Sequence, residues 1–260
     1  MQNKSTPSLL GGKHTVVEFL SRTPEKVSSV FIEKQKKGKD VSQIIGLCQA
    51  AGIRYQYIPG RKFAEFALKN HQGFALRVFP KGYQNMDQLL DQARTADLPL
   101  ILVLDQVQDE GNLGTLARSL FALGGAGIVL PKNRTATPGR LAQQAAAGAL
   151  SELPLARETN LARLVRGVRE KGFYTCYAGI GSECHNVFDH EIGWPILLVL
   201  GNEEKGVRPG IVKACEAGLT IPMSRRFDSL NVAQAGAMLM VELLRKKLSG
   251  VSPASGRPDI

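Results

Sequence analysis

Three short segments of this 260-residue chain gather small, polar and charged residues directly after apolar runs. The first is Asp105-Gln106-Val107-Gln108-Asp109-Glu110-Gly111-Asn112-Leu113-Gly114-Thr115-Leu116-Ala117-Arg118. Asn112 can cap a helix whose buried stripe would be Leu113, Leu116, Ala117, Leu120 and Leu123. Arg118 falls off that stripe, one turn after Gly114, and helical side chains lean back toward the N-terminus. A guanidinium reaching over a bare glycine beside a helix N-terminus suits a phosphate or a developing oxyanion. An exposed arginine behind a capping asparagine and a chance glycine would look the same.

The second segment is Gly201-Asn202-Glu203-Glu204-Lys205-Gly206-Val207, in which the glycines let the backbone turn sharply or approach a ligand, and Glu203 could hold a basic group such as an arginine. An ordinary strand-to-helix turn is the plainer reading. The third runs from Ile221 to Ala233, where Ser229 can cap a final helix and Asn231 offers both donor and acceptor. No G-x-G-x-x-G or Gly-Lys-Ser/Thr phosphate loop follows any apolar run, and there is no G-x-S-x-G, which argues against dinucleotide binding, ATP hydrolysis and serine-hydrolase chemistry. Cys48, Cys176, Cys184 and Cys215 lack metal-type spacing, and Cys184-His185 with His190 reads as a polar surface loop, because sequence neighbours rarely aim at one point. No metal is expected.

The elements that must position these loops follow from the hydrophobic pattern. Apolar runs at 98–104, 127–130, 173–178, 196–200 and 219–221 have the continuity of strands covered on both faces. Helical patterns at 113–123, 138–150, 161–170, 210–217 and 232–248 alternate with them, which predicts a mostly parallel α/β sheet with right-handed crossovers. In such sheets ligands bind beyond the carboxyl ends of the strands, where all three segments lie. Ahead of this, strand-like runs at 27–32, 54–58 and 74–79 alternate with helical patterns at 14–20, 41–51 and 61–68, a small α/β unit of its own. The expected division is a front domain at 1–80, a linker at 81–97 holding a short helical stretch, a second domain at 98–250 and a loose tail at 251–260.

Charge is distributed unevenly along the chain. Residues 1–90 hold fourteen Lys and Arg against six Asp and Glu, and so carry most of the net charge of +10. A basic front domain suits a polyanion such as nucleic acid. No apolar run approaches the roughly 20 residues of a membrane span. The first thirty residues lack a signal-peptide core, so a soluble cytoplasmic protein is expected.

Taken in order, Asn112-Leu113-Gly114 with Arg118, Gly201-Asn202-Glu203 with Gly206, and Ser229-Leu230-Asn231-Val232-Ala233 resemble the three motifs of the SpoU (TrmH) family of RNA 2′-O-ribose methyltransferases, within the SPOUT superfamily. The resemblance extends from about Gly12 to Leu248, since Gly12-Lys13-His14-Thr15-Val16 and His71-Gln72-Gly73 are similar to front-domain signatures of its ribosomal-RNA branch. It implies a trefoil knot at the end of the catalytic domain, a homodimer built around that knot, and S-adenosylmethionine as cofactor. The expected substrate is a guanosine in large-subunit ribosomal RNA. Chain rules alone would favour an unknotted sheet. By position, Gly201, Ile221 and Leu230 match cofactor contacts, and Asn112, Arg118, Glu203, Ser229 and Asn231 match catalytic positions. Gln106 stands where the family usually has glycine, Glu110-Gly111 replaces Pro-His, and Arg225-Arg226-Phe227-Asp228 is bulkier than usual.

The expected chemistry follows from the substrate. A ribose hydroxyl is a poor nucleophile, so a site must align it with the methyl group and stabilise charge on its oxygen. Arg118 is assigned the second task; the resemblance also implies this arginine as general base, a role that a guanidinium resists unless phosphate contact or exclusion of water assists it. A transfer-RNA substrate, a non-catalytic RNA-binding assembly factor and a small-molecule enzyme on the same sheet are the competing readings.

Overall fold

The computed structural model describes residues 8–66, 68, 70–78, 82–225 and 229–250. The expectations for Phe79, for Arg226-Phe227-Asp228 and for a loose tail at 251–260 lie outside the described residues. The front unit runs β1 (Ser8–Gly11), α1 (Lys13–Arg22), a 3-10 turn (Pro24–Lys26), β2 (Val27–Glu33), α2 (Lys39–Ala51), β3 (Arg54–Ile58), α3 (Gly60–Glu65) and β4 (Phe74–Val78). Its sheet has the order β1-β4-β2-β3, with β2 parallel to β3 and β4 antiparallel to both its neighbours. β2 is buried on both faces. Val30 and Ile32 meet Val16, Leu20, Ile44 and Cys48 of α1 and α2, while Phe31 meets Phe63 of α3. β1 was not expected, because Ser-Leu-Leu-Gly shows no alternation and owes its extension to pairing with β4.

The second unit comprises α4 (Met86–Thr95), β5 (Leu98–Leu104), α5 (Glu110–Ala122), β6 (Gly125–Pro131), α6 (Arg140–Ala146), α7 (Ala149–Glu152), β7 (Leu155–Glu158), α8 (Leu161–Glu170), β8 (Tyr174–Ala178), β9 (Cys184–Asn186), β10 (Ile196–Leu200), α9 (Pro209–Val212), β11 (Ala217–Thr220) and α10 (Val232–Ser249). Seven parallel strands lie in the order β7-β6-β5-β10-β8-β11-β9. Along β5 the side chains alternate between two layers. Leu100, Leu102 and Leu104 pack with α5 and α10, whereas Ile101 and Val103 pack with α4 and α8. This double burial explains the uninterrupted apolar run.

The strand order carries the topology that simple chain rules disfavour. β10 is inserted between β5 and β8, and β11 between β8 and β9, so each enters between strands laid down earlier. The chain then returns from β11 to the centre, where Gly236 of α10 is pressed against Leu116 and Leu200. This interleaving is that of the α/β-knot fold, as the resemblance implied.

Several boundaries differ from the hydrophobic reading. The expected helix at 138–150 is two, α6 and α7, because Ala147 and Gly148 take φ of 49° and 98°, outside the helical region. α9 ends at Val212, and Ala217, expected at a helix end, begins β11. The two further unexpected strands, β7 and β9, have four and three residues and only weak apolar character. The stretch expected as a linker contains α4, whose Leu89, Leu90 and Ala93 are buried in the second unit's core. A chain cut at Asp97 would therefore lose part of that core.

The two units are docked through specific contacts. Gln84 N–H donates to Leu155 O at 2.7 Å, and Arg157 stacks 4.2 Å from the Tyr83 ring centroid while donating to Ser28 O at 3.2 Å. Arg54 donates across to Thr135 O at 2.9 Å.

Candidate active site

The end of β5 is tied to the loop that follows β10. Asp105, fully buried, accepts from Arg208 Nε at 2.8 Å and from Arg208 N at 2.9 Å, and its own N–H donates to Leu200 O at 2.8 Å. Gln106 follows with φ of 62°, a left-handed conformation that costs a glutamine more than a glycine. This accounts for the glycine usual at that position. Asn202 secures the facing loop. Its side-chain oxygen accepts from Glu204 N and Lys205 N, its amide donates to Gln106 O at 3.3 Å, and its backbone exchanges two hydrogen bonds with Gly206.

Caps distribute the polar groups differently from the sequence reading. α5 begins at Glu110, and Asp109, not Asn112, caps it by accepting from Asn112 N at 2.7 Å. Asn112 therefore has its side chain free for the site. Its amide donates to Glu203 Oε1 at 2.6 Å, and its oxygen accepts from Asn231 Nδ2 at 3.1 Å. Asn231, not Ser229, caps α10, accepting from Ala233 N and Gln234 N. One chain of hydrogen bonds thus joins the ends of β5 and β10 to the start of α10. Glu203 is held by an amide, not by an arginine as expected.

Beside this chain lies a cavity of about 340 Å³, formed by the loops after β8, β10 and β11 together with the first turns of α10. Gly201, Ile221, Leu230, Glu203 and Ser229 all line it, which brings residues up to 29 positions apart into one wall that the sequence could only propose. The sequence reading missed the loop after β8, Ala178-Gly179-Ile180, and Leu239 of α10, which complete that wall. Neither carried a polar signature that could have marked it. Leu219, Ile221, Leu230 and Leu239 give an apolar slot, and Glu203, Glu204 and Lys205 a polar mouth. Such a mixed wall fits a nucleoside carrying a charged amino-acid arm.

Gly201 is required by its own loop: a Cβ there would stand 2.2 Å from Gly206 C and 2.4 Å from Val207 N. Gly201→Ala should therefore splay the loop, at a cost of about 1–3 kcal/mol typical of overpacking, and weaken binding of S-adenosylmethionine in calorimetry. Unchanged affinity would show that the loop does not shape the cavity.

Arg118 stands apart from this assembly. It is exposed on α5, six residues beyond Asn112 or about 9 Å along the helix, and has no polar partner among the described residues. Gly114 serves packing instead of clearance for Arg118, since a Cβ there would lie 2.3 Å from Ala142 O of α6. The N-terminus of α5 is engaged by its own Asp109, with Glu110 in the first turn. Cys184 and His185 diverge, as sequence neighbours should. Cys184 Sγ meets Tyr177 Oη at 3.8 Å, and His185 stacks on His190 at 4.4 Å. Burial pushes the Cys215 thiol up to about 12 and holds the Cys176 thiol well above its ordinary value, which disfavours the thiolate at both.

The sequence matches the SpoU rRNA Methylase family over residues 99–241 and a family described as RNA 2′-O ribose methyltransferase substrate binding over residues 9–84. It is 32% identical, over 92% of this chain and 96% of the other, to the 23S rRNA (guanosine-2′-O-)-methyltransferase RlmB of Vibrio parahaemolyticus. It is equally 32% identical, over 91% and 94%, to YacO of Bacillus subtilis, which carries a provisional name as a TrmH family tRNA/rRNA methyltransferase. In fold it is similar to an AdoMet-bound rRNA methyltransferase from Sinorhizobium meliloti, with a TM-score of 0.59 at 23% identity over 92% of this chain and 87% of that one. The motifs, the interleaved parallel sheet and these matches together place the chain in the SpoU family of RNA 2′-O-ribose methyltransferases.

Proposed function

We propose that the chain transfers the methyl group of S-adenosylmethionine to the ribose 2′-oxygen of a guanosine in large-subunit ribosomal RNA. The observation that carries this reading is the wall shared by Gly201, Ile221, Leu230, Glu203 and Ser229, joined through Glu203 to Asn112 and Asn231. The name of the Vibrio relative supports the guanosine and the ribosomal RNA. Residues 1–80 would form the RNA grip, and residues 98–250, with α4, the catalytic unit.

When bound, the cofactor supplies an electrophilic methyl group. The protein's part is orientation and electrostatics. Main-chain groups of Gly201, Ile221 and Leu230 would hold the cofactor, while Asn112, fixed between Glu203 and Asn231, and Ser229 would orient the ribose. Arg118 would stabilise charge on the 2′-oxygen, with water or a nearby acceptor taking the proton. No residue here requires a metal, and a chelator should leave activity unchanged.

A second copy of the chain completes the reading. Met238, Val241 and Leu248 form an exposed apolar stripe on α10, and Phe121 is exposed one turn beyond Arg118. In this reading a homodimer covers these apolar residues and Arg118 serves the partner's cavity, since Arg118 does not line the cavity of its own chain. No helix among the described residues is long and apolar enough to cross a membrane, and a cytoplasmic site of action goes with a ribosomal substrate.

Mapping of 2′-O-methylations in total RNA from cells with and without the gene tests the substrate. A single guanosine mark lost from large-subunit ribosomal RNA is expected. Loss of a transfer-RNA mark instead would assign the chain to the other branch of the family.

A further inference from the structure

The front sheet turns one face toward the second unit, and across three adjacent strands that face carries Arg77, Ser29 and Arg54, with Ser29 the register partner of both arginines. Register partners project from the same face, about 5 Å apart. Ser29 is only 3% exposed, and its hydroxyl has no hydrogen-bond partner among the described residues. The row opens on a cleft of about 350 Å³ whose far wall is Gln108, Glu110 and Thr137 of the second unit.

Neither guanidinium has an ion-pair partner among the described residues. Arg54 donates to Thr135 O, and Arg77 lies 5.4 Å from the Phe31 ring centroid. Burial draws both below the ordinary arginine range, Arg157 adds to this at Arg54, and Glu110 offsets it in part. Glu110 is itself engaged, accepting from Thr137 Oγ1 at 3.0 Å in the first turn of α5. Two half-buried cations and a buried hydroxyl without a partner disfavour the folded state unless a ligand compensates them.

We propose that this cleft binds a phosphate of the substrate RNA backbone, gripped by Arg54 and Arg77 with the Ser29 hydroxyl donating between them. The proposal rests on the reading of the chain as an RNA methyltransferase and adds a defined contact to it. Glu110, on the cleft wall, is two residues from Asn112 on the same turn of α5, so the cleft and the Asn112 end of the site lie on different sides of one helical turn. Bidentate guanidinium contacts and a hydroxyl are common phosphate ligands.

The test uses the full-length protein with a large-subunit ribosomal RNA transcript, a transfer-RNA transcript and an oligouridylate, each titrated from low to physiological salt. Arg54→Gln/Arg77→Gln should weaken binding at least about tenfold and flatten the salt dependence by about 1.4–1.8, the value for two lost contacts. Ser29→Asp, which places a carboxylate between the guanidiniums, should weaken RNA binding as much while keeping or raising the melting temperature. Calorimetry with S-adenosylmethionine verifies the fold of each variant. Arg163→Gln/Arg166→Gln removes the same charge from the exposed face of α8 and should flatten the slope less. Wild-type slopes in both cleft variants, or an equal effect in the α8 variant, overturn the proposal. So does stabilisation of the wild type by inorganic phosphate with RNA binding unchanged in the variants, which would assign the cleft to a free anion. The slopes are read on whichever RNA binds, so a wrong substrate assignment shows separately, as binding without methylation.

Discussion

Replacing Arg118 with alanine is expected to lower methyl transfer about a hundredfold to a thousandfold while leaving affinity for S-adenosylmethionine unchanged. The expected loss is that of a group stabilising charge which develops only as the 2′-oxygen attacks. Cofactor affinity should survive because Arg118 does not line the cavity and makes no polar contact with the loops that do. Its substitution also costs the fold little, since the side chain is exposed. If Arg118 acts in a partner's site, chains carrying Arg118→Ala mixed with chains carrying Gly201→Ala should show more activity than the two measured separately. Turnover near wild type at saturating RNA would reduce Arg118 to an ordinary surface residue.

Arg208→Ala should destabilise the catalytic unit by about 3 kcal/mol, the lower end for breaking a buried ion pair, because Arg208 itself is half exposed. In a protein of this size that is a fall in melting temperature of roughly 6–12 °C. The variant leaves Asp105 fully buried with only the backbone N–H of residue 208 remaining from that partner. The loop after β10 loses its clamp to β5, so cofactor affinity should fall as well. Asp105→Asn combined with Arg208→Ala should recover part of the stability, since a buried amide is cheaper to leave unpaired than a carboxylate. A melting temperature within about 2 °C of wild type would show that the pair does not hold the loop.

The sequence disclosed the sheet core and the three site loops for a common reason. A strand covered on both faces must be continuously apolar, so β5 and β10 stand out, and the polar loops at their ends stand out against them. What it could not resolve was which polar residue would serve its own helix and which the site. Asn112 and Asn231 are both competent caps, but Asp109 takes that role for α5 and frees Asn112, whereas Asn231 caps α10 and still bonds Asn112. That outcome depends on where each helix begins, and the apolar stripe leaves this open by a turn. Gly114 likewise looked like clearance for Arg118, while its neighbours are Ala142 and Ala145 of α6, distant in sequence. The row Arg77, Ser29, Arg54 is legible only once the strand order β4-β2-β3 is known. The short strands β1, β7 and β9 carry too little pattern to be seen apart from their partners. The knot itself came from resemblance, since local physical rules favour a sheet without one.

Methyl transfer to a ribose oxygen is measured with purified protein, methyl-labelled S-adenosylmethionine and an unmethylated large-subunit ribosomal RNA transcript. After the reaction the RNA is digested to nucleosides and the labelled species identified. Label is expected in 2′-O-methylguanosine alone, undiminished by a chelator. Label in a base-methylated nucleoside, or none from a folded protein that binds the cofactor and the RNA, would contradict it.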